Sequence, residues 1–464
     1  MSAAQVVPTL MIQSTQIKTI PQVRLKDLAK GTITALSLQI SGVLLTYLTQ
    51  IILARWMGKV EYGIYAFILA LSALLAIPSG FGFPRTVLRF MAEYRVQEDW
   101  GRLRGILLGS WQFTLGMSFC ICLISTGIIG VLDYYQNISY THILYIGIWL
   151  VPLQALMLLH EEMSRGASSL IRGYTPSKIV WPLLAILGGF YLERQRHTLD
   201  STSMTEFALI ALLVVITLQL LLLWNRFDQE ILSSEAIYEP RQWLKVALPL
   251  LLIQSFREIL TESDTLMVGG ILGSSAVGVY DAACKTALWV NLILKSVNLL
   301  AAPAFVTLYT QKKLPDLQKV VSAITWWIFW PSLIISLAFI LLAQPILGLF
   351  GPGFSSGSWA LRILVFGQLM SAICGSVGNL MMMTGHQNDT LVASASCALI
   401  NLVANAIMIP LFGLAGAAFT TMFTLILWNV WLSYLVVDKI GIYPSIFASL
   451  LGGRRQEAEG RRQE

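Results

Sequence analysis

Charge is what this sequence has least of. Only 12% of its 464 residues are Asp, Glu, Lys or Arg, against about 25% in a soluble globular protein. With 56% hydrophobic residues and a mean hydropathy of +0.70, that deficit excludes a soluble enzyme. Histidine is scarce at four residues, and His160-Glu161-Glu162 is not the His-Glu-x-x-His pattern of a zinc hydrolase. The five cysteines, Cys120, Cys122, Cys284, Cys374 and Cys397, lie in apolar stretches without metal-type spacing. They read as small buried hydrophobes. There is no Walker sequence, no nucleophile elbow and no pair of carboxylates in an aqueous loop, so neither an enzyme nor an ATPase is expected. No cleavable signal peptide is expected either, because the first apolar run is too long for one. The net charge of +6 is no nucleic-acid signal, since most basic residues sit in short loops, where they set topology.

What the chain does have is long apolar runs. A helix needs about 20 residues to cross a bilayer. The runs predict an all-α polytopic membrane protein with about twelve spans: 31–54, 60–84, 105–131, 142–164, 177–192, 205–224, 246–271, 277–305, 321–349, 358–384, 390–410 and 416–437. One set of alternate loops collects Lys18, Arg24, Lys26, Lys30, Arg85, Arg89, Arg95, Arg102, Arg104, Arg165, Arg172 and Lys178. Arg226, Arg241, Lys245, Lys312, Lys313, Lys319 and the tail arginines lie on the same side. The positive-inside rule makes that side, and both termini, cytoplasmic. The expected organisation is a cytoplasmic segment 1–30, an N-lobe 31–225, a polar linker 226–245, a C-lobe 246–438 and a disordered tail 439–464.

The two lobes read as copies. Gly58-x4-Gly63-x-Tyr65 matches Gly273-x4-Gly278-x-Tyr280 at an offset of 215, and Leu170-Ile171-Arg172-Gly173 matches Met382-Met383-Thr384-Gly385 at 212. Two matches at nearly one offset mark an internal repeat. Six spans per copy is an even number, so the lobes insert the same way and are related by an axis along the membrane normal. In such parallel-repeat transporters the substrate site lies between the lobes.

Several charged residues fall inside apolar runs, where each costs about 2.5–3.5 kcal/mol or more unless it faces protein or water. The stretch 246–273 carries Arg257, Glu258, Glu262 and Asp264 and must line a polar cavity. Asp281 and Lys285 stand at i, i+4, a structural pair. Lys295 lies on a stripe with Asn291 and Asn298, and is either a substrate contact or an internal partner of Glu258 or Glu262. Glu161, Glu162 and Arg165 are either cavity-lining or solvated beyond the end of the fourth span. Arg85 and Arg89 are either topogenic charge or a greeting for an anionic headgroup, which the planar arginine fork suits. Asn401 and Asn405 share a helix face near Thr420 and Thr421. They either bond between helices or, with a carboxylate, coordinate a small hard cation.

Three segments carry a family resemblance. LARWMGKVEYGIYAFILALSALLAIPSGFGFPRTVLRFMAEY resembles the first two spans of prokaryotic polysaccharide-transporter flippases, members of the multidrug/oligosaccharidyl-lipid/polysaccharide exporter superfamily. LPLLLIQSFREILTESDTLMVGGILGSSAVGVY resembles their seventh span, and INLVANAIMIPLFGLAGAAFTT their spans 11 and 12. The resemblance covers nearly all of 25–438 and implies a flippase. Its cargo would be a polyprenyl-pyrophosphate oligosaccharide, moved across the cytoplasmic (inner) membrane by alternating access for cell-surface polysaccharide synthesis. Partners would be membrane lipids and the glycosyltransferases or polymerase of one pathway, with no nucleic acid. Arg257, Lys285 and Lys295, with Arg85, Arg89 and Arg165 at the inner mouth, are the expected headgroup contacts. Similarity to lipid II flippases implies a sodium or proton coupling site matching Glu262, Asn401, Asn405 and Thr421, with Glu258 beside it, and no other cofactor. The alternatives are a cation-coupled multidrug and toxin extrusion antiporter, favoured by Glu258, Glu262, Asp264, Glu161 and Glu162, and a non-transporting scaffold for glycan assembly.

Overall fold

The computed structural model describes residues 25–136, 140–167, 170–196, 198–224 and 229–446, and no strand occurs among them. Lys18, Arg24, Arg226, the tail arginines and most of the tail lie outside the described residues. Among the described residues eight helices are long and apolar enough to cross a membrane. Two of them are each two spans folded over at a glycine. Leu25–Ser79 breaks at Gly58 (φ 73°, ψ 171°) into span 1 (25–57) and span 2 (59–79). Gln387–Ile440 breaks at Gly413 (φ 59°, ψ −138°) into span 11 (387–412) and span 12 (414–440). Span 3 is Trp100–Gln136, span 4 Thr141–Gly147 with Leu150–Gly166, and span 6 Ser201–Trp224. Span 8 is Ser274–Thr310, span 9 Leu314–Leu341, and span 10 Ser358–Cys374 with Val377–Met383. Span 5 (170–196) and span 7 (Pro240–Leu272) complete the expected twelve.

The boundaries differ from the apolar runs for local reasons. Span 2 does not end near residue 84. After the Gly80–Gly82 break it resumes as the helix Phe83–Val96, so Arg85 and Arg89 are helical residues rather than loop residues. Gly82 takes φ +73°, and a Cβ there would lie 2.1 Å from the Ala247 carbonyl oxygen of span 7, so the break lets two backbones touch. Span 5 is longer than its run because Leu170–Thr175 and a π-helical turn, Pro176–Val180, precede the apolar helix Trp181–Arg196. The π turn accommodates Pro176, which cannot supply a helical hydrogen bond.

The repeat is visible in the backbone. Gly273 adopts φ 87° and ψ 175°, nearly the values of Gly58. Both need the freedom of glycine, because an L side chain rarely takes such angles. The second sequence match is looser, since Gly385 has φ +88° while Gly173 is helical. Each glycine hinge turns the chain back at the face opposite the basic loops, here termed the hinge face.

At the hinge face the lobes share one core. Leu53, Met57 and Tyr62 of the N-lobe pack in one cluster with Val277, Tyr280, Phe350 and Phe354 of the C-lobe. The centre of the contact is bare backbone. A Cβ on Gly63 would sit 1.8 Å from the Ser274 carbonyl oxygen, and one on Gly278 would sit 2.3 Å from the Lys59 carbonyl oxygen. These two glycines are equivalent in the repeat, so each copy supplies half of a symmetric backbone contact. Toward the basic face there are two separate cores, Phe83, Phe90, Tyr94, Leu159 and Trp243 in one and Phe305, Leu317, Val377 and Leu432 in the other. The lobes therefore join at the hinge face, and toward the basic face their cores separate except where the start of span 7 (Trp243, Ala247) still packs on the N-lobe.

The 229–239 segment is strapped to the N-lobe. Arg104 donates to the Ser234 carbonyl oxygen (2.6 Å), Ile237 donates its N–H to Gly101 (3.0 Å), and Arg102 pairs with Glu239 at 3.0 Å. Because the Gly278 clash is with backbone, no side chain can swing away. Gly278→Ala should destabilise the protein by about 1–3 kcal/mol, as overpacking does. Gly127→Ala, at a position with nothing within 4 Å, should leave the melting temperature in detergent unchanged. Equal melting curves for the two variants would contradict the backbone contact.

Candidate functional site

Two cavities adjoin between and within the lobes, sharing Thr46, Gln50 and Lys285. The larger, about 520 Å3, runs between span 1 (Leu38 to Gln50) and span 8 (Lys285 to Lys295), with Arg165, Tyr174 and Lys178 closing one side. All four ionisable groups of fixed sign on its wall are cationic: Arg165, Lys178, Lys285 and Lys295. The smaller, about 360 Å3, lies within the N-lobe. Tyr62, Tyr65, Trp181, Met157 and a row of alanines line it, and Glu258, Glu262, Asp281 and Lys285 face it from the C-lobe. The interior is thus divided by sign, and Lys285 stands at the division.

Helical rise places these groups in depth. At 1.5 Å per residue from the hinge, Asp281 lies about 10 Å in, Asp264 about 12 Å, Glu262 and Lys285 about 15–16 Å, and Glu258 and Arg257 about 21–22 Å. Lys295 lies about 32 Å in, at the far mouth of a hydrocarbon core about 30 Å thick.

Most of the deep charges are compensated. Lys285 Nζ lies 3.7 Å from Glu262 Oε1 and 3.7 Å from Asp281 Oδ1, so the i, i+4 pair exists but Glu262 shares it. Lys178 Nζ lies 3.6 Å from the buried Glu161. That oxygen accepts no hydrogen bond, so the contact is an ion pair slightly too long to be a hydrogen bond. Arg165 grips Glu162 through both oxygens, at 2.7 and 2.9 Å, and Arg85 Nε approaches it at 3.5 Å. Lys295 and Arg257 have no side-chain ion pair or hydrogen bond among the described residues. Lys295 lines the basic cavity, whereas Arg257, exposed on span 7, lines neither cavity. Arg89 is exposed, with its guanidinium 5.9 Å from the Phe90 ring. Lys178, read from sequence as a loop charge, is brought into the cavity by the π turn. Gly42 of span 1 makes room for it, since a Cβ there would lie 2.8 Å from the Lys178 Cβ.

A second constellation lies inside the C-lobe. Asp264, 2% exposed, accepts from Asn405 Nδ2 at 2.6 Å, from Tyr280 OH at 3.3 Å and from Thr421 Oγ1. Asn405 Nδ2 also donates to Asn401 Oδ1 at 3.1 Å, as does Ser263 Oγ. Asn401, Asn405 and Thr421 therefore gather as the lipid II flippase pattern implies, but around Asp264 and not around Glu262. The two carboxylates are two residues apart, about 200° around a helix, so one faces the lobe interior and the other the cavity. The spacing carries the signal: buried Val268 stands one turn (i+4) from Asp264, whereas Gly269 stands two turns (i+7) from Glu262 and meets Phe67 of the N-lobe.

Asn405 Oδ1 and Thr420 Oγ1 are buried without partners. An unsatisfied amide oxygen on a residue bonded to the Asp264 carboxylate, with no nitrogen or sulfur ligand, suits a small hard cation better than a transition metal. Among the described residues no cluster of three His, Cys, Asp or Glu could hold a metal ion.

Comparison with known proteins decides the family. The family described as "Polysaccharide biosynthesis protein" matches residues 28–309. The chain belongs to the polysaccharide biosynthesis protein family, of the multidrug/oligosaccharidyl-lipid/polysaccharide exporter superfamily. A second family, MatE, matches residues 249–407 of this polysaccharide biosynthesis protein. A curated relative is the "Probable low-salt glycan biosynthesis flippase Agl15" of Haloferax volcanii. It is 23% identical over 414 residues, which is 85% of this chain and 80% of the relative. Among solved structures, an inward-facing multidrug resistance MATE family transporter superposes with a TM-score of 0.70 at 14% identity, covering 85% of this chain and 95% of its own. The lipid II flippase MurJ in an inward closed conformation gives 0.67 at 14% identity and 87% of both chains. An outward-facing MATE gives 0.60 at 13% identity, covering 88% of this chain and 96% of its own. These likenesses confirm the all-α, two-lobe membrane fold.

The pairing of Lys285 has a direct check. Lys285→Met leaves two buried carboxylates uncompensated, and breaking a buried pair costs about 3–5 kcal/mol. The melting temperature should fall, and Glu262→Gln added to Lys285→Met should restore part of it. A double variant no better than the single one would show that the two groups do not interact.

Proposed function

We propose that this protein is a flippase that moves a lipid-linked oligosaccharide, joined to its polyprenyl carrier by pyrophosphate, from the cytoplasmic to the outer leaflet by alternating access. The observation that carries the reading is the basic cavity, whose wall holds four cations and no carboxylate. A pyrophosphate cannot cross bare hydrocarbon cheaply. Cations facing a wet cleft replace its water, while the polyprenyl tail stays in lipid beside the opening between spans 1 and 8. The family match and the printed name of the Haloferax volcanii relative support the cargo class. Lobes joined at the hinge face, and the higher TM-score against the inward-facing relative, support an inward-open state with the basic face and both termini in the cytoplasm. Outward movement of two negative charges is also favoured in an inside-negative cell, by about 4.6 kcal/mol at 100 mV.

In this reading Lys295 and Lys178 meet the headgroup at the cytoplasmic mouth, and Arg165 lines the same cavity. Arg257 and Arg85 receive it from the span 2 and span 7 side. No group is needed to make or break a covalent bond, so the protein acts as a transporter and not as an enzyme. When sodium or a proton is bound at the C-lobe constellation, Asp264 with Asn405, Thr420 and Thr421 would hold it. That ligand biases the lobes only if it binds one conformation better than the other; a tenfold bias needs about 1.4 kcal/mol. The second reading, a multidrug and toxin extrusion antiporter, draws on the smaller cavity, where three carboxylates and one lysine meet aromatic walls.

Export of surface glycan in cells separates the two. Lys295→Ala and Lys178→Ala should each lower it at least tenfold with the protein still in the membrane. Arg257→Lys should be tolerated poorly if the contact is a bidentate fork. Normal export by both alanine variants would remove the basic cavity as the headgroup site, and resistance to cationic dyes on overexpression would favour the antiporter.

The cation site is tested apart from transport. Replacing choline chloride by sodium chloride should raise the melting temperature of wild type, since a ligand of the native state stabilises it. Asp264→Asn should abolish the rise and Glu262→Gln should keep it. The reverse pattern would move the site to the cavity carboxylate.

A further inference from the structure

We propose that Lys285 is an interlock: an anion entering the basic cavity draws its ammonium away from Asp281, and this releases the closure of the lobes at the hinge face. The proposal rests on the flippase reading above and adds to it the residues that couple cargo to closure.

The chain of contacts is short. Lys285 lines both cavities. Its ammonium is shared between Glu262 and Asp281 at 3.7 Å each, distances beyond hydrogen-bond reach. It is therefore held by charge alone and is free to turn toward a better anion. Asp281 Oδ2 in turn accepts a 2.8 Å hydrogen bond from Tyr62 OH, which belongs to the other lobe. Tyr62 is adjacent to Gly63, whose backbone abuts Ser274 of span 8. Three side chains thus connect the cargo space to the backbone contact that shuts the hinge face.

The physics gives the direction. Asp281 is 5% exposed and Tyr62 is 2% exposed. With Lys285 present, the carboxylate has a cation and a hydroxyl donor. With Lys285 drawn to a phosphate, it keeps only the neutral hydroxyl, and a buried carboxylate so poorly compensated is strongly disfavoured. Parting of the lobes at the hinge face lets water reach it. The empty protein then stays shut, and the loaded one opens. The device exists in one copy of the repeat only. At the 215-residue offset, Ala66 and Ala70 stand where Asp281 and Lys285 stand, and both alanines line the smaller cavity. A purely structural ion pair would not need to face two cavities.

The test uses spin labels at Lys59→Cys and Ser275→Cys, at the hinge-face ends of spans 2 and 8, in the full chain with its native cysteines replaced. Electron–electron distances are recorded in nanodiscs during titration with farnesyl pyrophosphate, whose binding is measured in parallel. Wild type should bind and shift to longer distances. Asp281→Asn keeps an acceptor for Tyr62 but has no charge to strand, so it should bind at least as tightly and stay short. Tyr62→Phe should show the longer distances before any ligand is added. An Asp281→Asn protein that lengthens as wild type does, or a wild type that binds without lengthening, overturns the interlock alone. A wild type that does not bind farnesyl pyrophosphate overturns the flippase reading, and the interlock with it.

Discussion

The structure turns on one constraint: an ionised side chain in the low-dielectric middle of a membrane must face a partner or water. Spans 7 and 8 carry Arg257, Glu258, Glu262, Asp264, Asp281, Lys285 and Lys295, and the architecture around them answers that demand. Glu262, Asp281 and Lys285 compensate one another. Asp264 is gathered in by an asparagine, a threonine and a tyrosine. Lys295 opens onto a cavity. A single helix, span 7, sends Glu262 to the smaller cavity and Asp264 to the lobe interior because two residues make about half a helical turn.

The second constraint is steric. Gly58 and Gly273 turn the chain at equivalent points, and Gly63 and Gly278 let the turned helices meet backbone to backbone. Such a contact has no side chains to rearrange, so it is either closed or open. A two-lobed transporter needs that bistability, since packed surfaces switch between discrete arrangements and do not deform continuously.

Fold class, span number and the repeat were legible in the sequence because each rests on patterns that survive without neighbours: apolar run length, basic loops and the Gly-x4-Gly-x-Tyr pair. Positions that depend on neighbours were not. The Gly80–Gly82 break looked like the end of span 2, yet the chain resumes as a helix carrying Arg85 and Arg89. Lys178 looked like a loop charge, because the π turn at Pro176 that aims it inward has no run-length signal. The family resemblance set Glu262 beside Asn405, whereas packing fixes the rotation of span 7 so that Asp264 meets Asn405 and Glu262 meets Lys285.

The central claim is that the basic cavity carries a pyrophosphate-linked headgroup across the membrane. The most direct measurement reconstitutes the purified protein in vesicles with a fluorescent polyprenyl-pyrophosphate sugar and follows loss of signal to a membrane-impermeant quencher over time. The account predicts that lipid of the protected leaflet becomes accessible at a rate set by the protein, and that inorganic pyrophosphate slows it by occupying Lys178, Lys285 and Lys295. Movement no faster than in protein-free vesicles, or movement indifferent to pyrophosphate, would contradict it.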